Sequence, residues 1–64
     1  MKLYSVNYGA EIILNANNHW KSMRVTTPLI FEEHQYQSED DHKITFKYNN
    51  QTIHIDHQDV KLFA

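Results

Sequence analysis

From Lys43 to Asp56 the chain alternates apolar and polar residues with a period of two, interrupted once by a pair of asparagines. Ile44, Phe46 and Tyr48 alternate with Lys43, Thr45 and Lys47. Beyond Asn49-Asn50, Ile53 and Ile55 alternate with Thr52, His54 and Asp56. Successive side chains of a strand point to opposite faces, so the pattern predicts two strands, each with one apolar face. Asparagine tolerates the positive φ that a two-residue type I′ turn requires. Closing the chain over Asn49-Asn50 sets Phe46 opposite Ile53, Ile44 opposite Ile55 and Lys43 opposite Asp56. A hairpin over 43–56 is therefore the expected centre of the fold, with Thr45 beside His54 on its polar face.

The remaining chain supplies shorter pieces of the same kind. Leu3 to Val6 reads as a first strand, so Met1-Lys2-Leu3-Tyr4 belongs to the domain rather than to a targeting leader. Tyr8-Gly9 marks a bend, because glycine takes unusual φ without steric cost. Ala10 to Leu14 favours a strand through its β-branched residues, with a short helix over 10–17 as the alternative. Asn15 to Asn18 is a turn by composition. Trp20 to Thr26 returns as a strand whose mixed pattern suits an edge. Thr27-Pro28 interrupts pairing, since proline has no N–H to donate. Leu29-Ile30-Phe31 is expected as a buried piece. Glu32 to Gln37 is polar, and Ser38 to His42 reads as an acidic loop. After the hairpin, His57-Gln58-Asp59 makes a tight turn and Val60 to Phe63 a closing strand.

From Ile44 to Phe63 this order of hairpin, one-turn break and short last strand resembles the layout of an SH3-like small barrel. The resemblance is architectural. It implies an all-β, partly open barrel of about five short antiparallel strands, forming one small domain over 1–64. No ligand-binding motif of that family can be placed on these residues, so the resemblance implies no peptide site.

Composition narrows the classes further. Sixty-four residues bury only about 60% of the surface their unfolded chain exposes, which predicts modest stability and makes a small homo-oligomer as acceptable as a monomer. The chain has no cysteine, so neither a disulfide nor a thiolate metal site is available, and a reducing cytoplasm fits. No apolar run exceeds three residues, which excludes a transmembrane helix or a signal-peptide core. A sequon at Asn50-Gln51-Thr52 reads as turn chemistry. A net charge of −2 argues against a general phosphate-backbone binder.

Five histidines are the compositional oddity. His54 and Asp56 share a strand face, but zinc needs three or four converging ligands and only two are in register, so neither metal nor cofactor is expected. The hairpin register also sets His42 opposite His57, and two imidazoles that close repel when charged. That predicts lowered pKa values and stability lost as pH falls through the histidine range. No nucleophile elbow, His-Glu-x-x-His or phosphate-binding glycine loop occurs, and the chain is read as non-enzymatic.

Two binding functions remain. Glu32 to Asp41 gathers five of the eight acidic residues in ten positions, together with Tyr36. Negative charge for steering and an aromatic anchor for affinity suit a protein partner, with Glu32, Glu33, Tyr36, Glu39, Asp40 and Asp41 as the contact residues. A small, cysteine-free β domain with an acidic loop is similar in style to the inhibitors encoded by phages and mobile elements. The implied partner is a larger, nucleic-acid-handling enzyme. The alternative is a small nucleic-acid-binding barrel, using Lys43 and Lys47 with stacking from Tyr4, Tyr8, Trp20, Tyr36 and Tyr48.

Overall fold

A computed structural model of the chain describes residues 2–63. Met1, at the head of the stretch read as the first strand, and Ala64 lie outside the described residues. The fold is all-β, with eight short strands among the described residues in place of the five or so expected. They are β1 (Leu3–Val6), β2 (Glu11–Ala16), β3 (His19–Arg24), β4 (Leu29–Glu32), β5 (Tyr36–Glu39), β6 (Lys43–Tyr48), β7 (Gln51–Asp56) and β8 (Val60–Phe63). Single 3-10 turns at Glu33–Gln35 and His57–Asp59 link β4 to β5 and β7 to β8. Among the described residues, no helix is long and apolar enough to cross a membrane.

The strands form two antiparallel sheets, ordered β4-β1-β8 and β3-β2-β7-β6-β5. The partly open barrel that the strand order suggested takes the form of two separate antiparallel sheets packed on one another, and they do not close into a barrel. The chain changes sheet at short, kinked links, where Pro28 and the 3-10 turns end the pairing, so neither sheet continues into the other. Backbone bonds from Gly9 to Val25 and from Val25 to Ala10 tether one such corner.

The central hairpin has the register that its alternation dictates: Lys43 opposite Asp56, Ile44 opposite Ile55, Phe46 opposite Ile53. Asn49 and Asn50 close it with φ of 49° and 64°. The same device closes β2 onto β3, where Asn17 and Asn18 have φ of 52° and 64°. Asparagine is among the few residues with a Cβ that enter this left-handed region readily, so two asparagine pairs set two hairpin registers. β2 is a strand over its whole length, because its β-branched centre pairs on both sides, with β3 and β7.

The core lies between the sheets. Tyr4 and Val6 from β1 and Phe31 from β4 meet Ile12, Ile44, Phe46, Ile53 and Ile55 from the larger sheet. Phe46 is wholly inaccessible. Its ring stacks on Phe31 at 4.3 Å between centroids and meets the Tyr4 ring edge-on at 5.2 Å. Of the piece expected to be buried at 29–31, Ile30 is instead 52% exposed. Period two with Phe31 inward turns Ile30 onto the outer face of the three-stranded sheet, where no layer covers it.

Of the acidic loop expected at 38–42, Ser38 and Glu39 belong to a strand and the rest is loop. Tyr36–Glu39 pairs with β6 as the edge strand β5, and only Asp40 to His42 turns. Alternation was absent there because an edge strand needs just one inward anchor, here Tyr36, and because a β-bulge breaks its period.

Candidate functional site

The bulge falls between Tyr36 and Ser38. Tyr36 pairs with Phe46, Ser38 with Thr45 and Glu39 with Ile44. The extra residue places Glu39 on the same side as Tyr36 and Ile44, facing the seam between the sheets rather than the outer face. There the Tyr36 hydroxyl donates to Glu39 Oε1 at 2.9 Å, and His57 Nε2 lies 2.6 Å from Glu39 Oε2. The carboxylate thus ties the β5 edge to the turn that leads into β8.

The hydrogen bond with His57, then that from Tyr36, holds the Glu39 carboxyl below its usual range. The hydrogen bond to Glu39 raises His57 in turn, and it also raises the Tyr36 hydroxyl. This reverses the expectation for the histidine pair. His57 does sit beside His42, with its backbone N–H on the His42 carbonyl at 2.8 Å. Its imidazole, however, turns to a carboxylate, so attraction to Glu39 rather than repulsion sets its protonation.

The other sequence-predicted residues divide by role. Asp40 Oδ1 accepts from the N–H groups of His42 and Lys43 at 2.8 and 2.9 Å, which shapes the turn and lowers its pKa. Asp41, the next residue, lines a polar hollow beside this turn. Glu33 Oε1 accepts from the Lys2 N–H at 3.2 Å. Glu32 opens the first 3-10 turn, its N–H donating to Gln35 Oε1 at 2.8 Å.

Two concavities meet at Glu39 and His57. One is a polar hollow of about 670 Å³, lined by Glu39, Asp40, Asp41 and Asp56 with His42 and His57. The other is a cleft of about 450 Å³ along the seam, with a floor of Tyr4, Tyr36, Ile44, Val60 and Leu62 and a rim that includes Glu33, Glu39 and His57. Leu62 occupies a core-side position opposite Tyr4 yet is 57% exposed, because none of the described residues closes the seam over it. Glu33, Tyr36 and Glu39 thus border the cleft, and Glu39, Asp40 and Asp41 border the hollow. Glu32 belongs to neither.

No protein-family model, curated protein or solved structure matches this chain. Its function therefore has to be read from its own surfaces.

The outer face of the five-stranded sheet is the second chemically distinct surface. Trp20, 63% exposed, lies over the His54 ring with centroids 5.9 Å apart and planes 24° apart. His54 Nδ1 shares a hydrogen bond of 2.9 Å with the buried Thr45 hydroxyl. Burial, then the charge of Lys43, pushes the His54 pKa down, so the ring is neutral near pH 7. Asp56, the residue paired with His54 in the two-ligand idea, accepts from the Gln58 N–H through Oδ1. Among the described residues, no three His, Asp or Glu side chains converge as a metal site. Of the five aromatics named as stacking candidates, Tyr8, Trp20 and Tyr48 are exposed, Tyr36 is half-buried and Tyr4 belongs to the core.

Sequence reasoning placed Thr45 beside His54 but missed two partnerships: His57 with Glu39, and Trp20 with His54. The first depends on a bulge that shifts parity. The second depends on β2 lying between β3 and β7, a choice of neighbour that alternation does not encode.

Proposed function

We propose that the chain is a non-enzymatic protein-binding module that presents the β5 edge, the acidic turn and the adjoining cleft to a larger partner. One observation carries this reading. Glu39 is held between Tyr36 and His57 at the point where an acidic hollow meets a cleft with an exposed, core-side leucine. A partner offering a basic side chain beside an apolar one would bury both, charge providing steering and the apolar contact affinity.

In its most specific form the partner is a nucleic-acid-handling enzyme, with the acidic turn entering a groove that otherwise takes phosphates. That is how a phage or mobile-element inhibitor would act, and it places the chain in the cytoplasm beside its target. An SH3-like arrangement is part of this reading. It is supported by the hairpin, the 3-10 turn His57–Asp59 and a closing strand that pairs with β1.

The test is capture of a partner by the full-length chain, compared with a variant in which Glu39, Asp40 and Asp41 are all serine. Serine at position 40 retains an oxygen for the turn, but serine at position 39 gives up the Tyr36 and His57 contacts, so circular dichroism of the variant is compared with the parent before capture. Loss of the captured partner is the expected result. Capture unchanged by the triple substitution would remove the acidic edge from the interaction.

A further inference from the structure

We propose that the turn end of the five-stranded sheet's outer face binds a short single-stranded nucleic acid, with Trp20 as stacking platform and Lys47 as phosphate contact. This surface is separate from the acidic edge and stands independently of it. Register places Trp20, Asn15, Thr52 and Lys47 side by side across β3, β2, β7 and β6. Ser22, Ile13, His54 and Thr45 form the next row. Both rows face away from the Phe46 side of the sheet.

A ring stacked on a strand-borne partner has one face covered, and the exposure it retains belongs to its other face and edge. For Trp20 that free face is what a base would stack upon. The platform is also fixed in advance: His54 beneath it is anchored by Thr45, itself only 5% exposed, and all three residues sit on strands rather than loops. Little conformational freedom remains to be lost when a planar ligand arrives.

Charge selects the ligand. Residues 12–31 and 42–55 contain no aspartate or glutamate, and both asparagine turns fall within those stretches. The two turns lie at the same end of the sheet, because Asn15 pairs with Thr52. The carboxylates on this face, Glu11 and Asp56, stand at the opposite end, directly across from Arg24 and Lys43. Those pairs offset one another, whereas Lys47 stands opposite uncharged Thr52. On the outer face, the acidic balance of the whole chain therefore does not extend to this end. Three strand spacings separate the Trp20 and Lys47 backbones, about 14 Å at ~4.8 Å each. The Trp20 ring leans across β2 onto His54 and so shortens that span, and a strand of two or three nucleotides covers it. A sugar would use the ring but leave the lysine idle.

Trp20 is the chain's sole tryptophan, so its fluorescence reports the site directly. The experiment titrates a hexameric oligothymidylate into the full chain at low salt, then repeats the titration as salt rises. Saturable quenching is expected, with log affinity falling against log salt at a slope of about −0.7 for each phosphate neutralised. Lys47→Gln should flatten that slope. Trp20→Ala, followed by amide chemical shifts, should weaken binding about ten-fold or more. Both positions are exposed, so circular dichroism of the two variants should match the parent. The Glu39, Asp40, Asp41 triple serine variant should titrate like the parent, which separates this site from the acidic edge. Absent quenching, quenching indifferent to salt and to Lys47→Gln, or equal quenching by a neutral glucose hexamer would each overturn the proposal.

Discussion

Replacing Phe46 by alanine tests whether a ring stack is what joins the two layers. The sheets share no continuous ladder, so side chains across the core must hold one to the other. Phe46 is inaccessible and faces Phe31 at 4.3 Å and Tyr4 at 5.2 Å, both from the smaller sheet. Truncating a buried phenylalanine costs about 3–5 kcal/mol, and each aromatic pair adds about 0.5–1.5 kcal/mol beyond area alone. A chain of 64 residues has a total stability of only about 3–10 kcal/mol. Phe46→Ala should therefore consume most of the available stability or abolish folding. Phe46→Leu keeps much of the volume but loses the ring contacts, and about 1–2 kcal/mol is expected. Urea unfolding followed by far-ultraviolet circular dichroism measures it: at a slope near ~1 kcal/mol per molar, the leucine variant's midpoint drops by about 1–2 M. Ile30→Ala on the uncovered outer face serves as the control, with a change within about 0.5 kcal/mol. A leucine variant no less stable than that control would refute the idea that this stack couples the layers.

Three further outcomes follow from the structure. His57, raised above its ordinary 6.5, contributes stability that is full below that value and is lost as pH rises through the folded pKa. Glu39, held below its ordinary 4.5, contributes stability that is present above that value and lost as pH falls through the folded pKa. Their pair thus acts chiefly between about 4.5 and 6.5, while His54, pushed down, opposes it and favours higher pH. The melting-temperature gap between the parent and His57→Gln should widen from neutral to mildly acidic pH, and a constant gap would dismiss the pair. At the hairpin, Asn50→Gly should stabilise by a few tenths of a kcal/mol and Asn50→Val should destabilise by about 1–2 kcal/mol, read from urea midpoints, since the φ of 64° suits glycine and not a β-branched residue. Asp40→Ala should speed amide exchange at His42 and Lys43 while Asp40→Asn, which keeps an acceptor oxygen, should not. Equal exchange in both variants would deny the side chain its part in the turn.

What could be read from the sequence was whatever a period of two encodes. The pairing of Lys43 with Asp56 and Phe46 with Ile53 followed from alternation and the Asn49-Asn50 turn alone, because a one-residue slip would turn every apolar side chain to the wrong face. β5 was hidden for the same reason: its bulge breaks the period, and its outer edge makes no demand on composition. Glu39 and His57 lie 18 positions apart and meet only because that bulge reverses the side on which Glu39 projects. Ile30 was misjudged because an apolar triplet does not reveal whether a second layer covers both faces. The six residues proposed for partner contact were chosen by charge density, and the fold assigns them different work. Asp40 shapes a turn, Glu32 and Glu33 attend the first 3-10 turn, and Tyr36 and Glu39 border the seam. Trp20 and Lys47 entered the same nucleic-acid reading without a shared position, and only the neighbour order β3-β2-β7-β6 puts them in one row.

The position of β1 bears on how this molecule is made. It is flanked by β4 and by β8, so a strand beginning at Leu3 waits for a neighbour ending at Phe63. On the ribosome the asparagine-closed hairpins are local and can form early, while the smaller sheet stays incomplete until β8 has emerged. Up to that moment β1 keeps an unpaired flank, and Tyr4 and Val6 lack their companions Leu62 and Val60. Synthesis of this sheet therefore passes through a sticky stage, and a translation stall upstream of Val60 would hold the chain there.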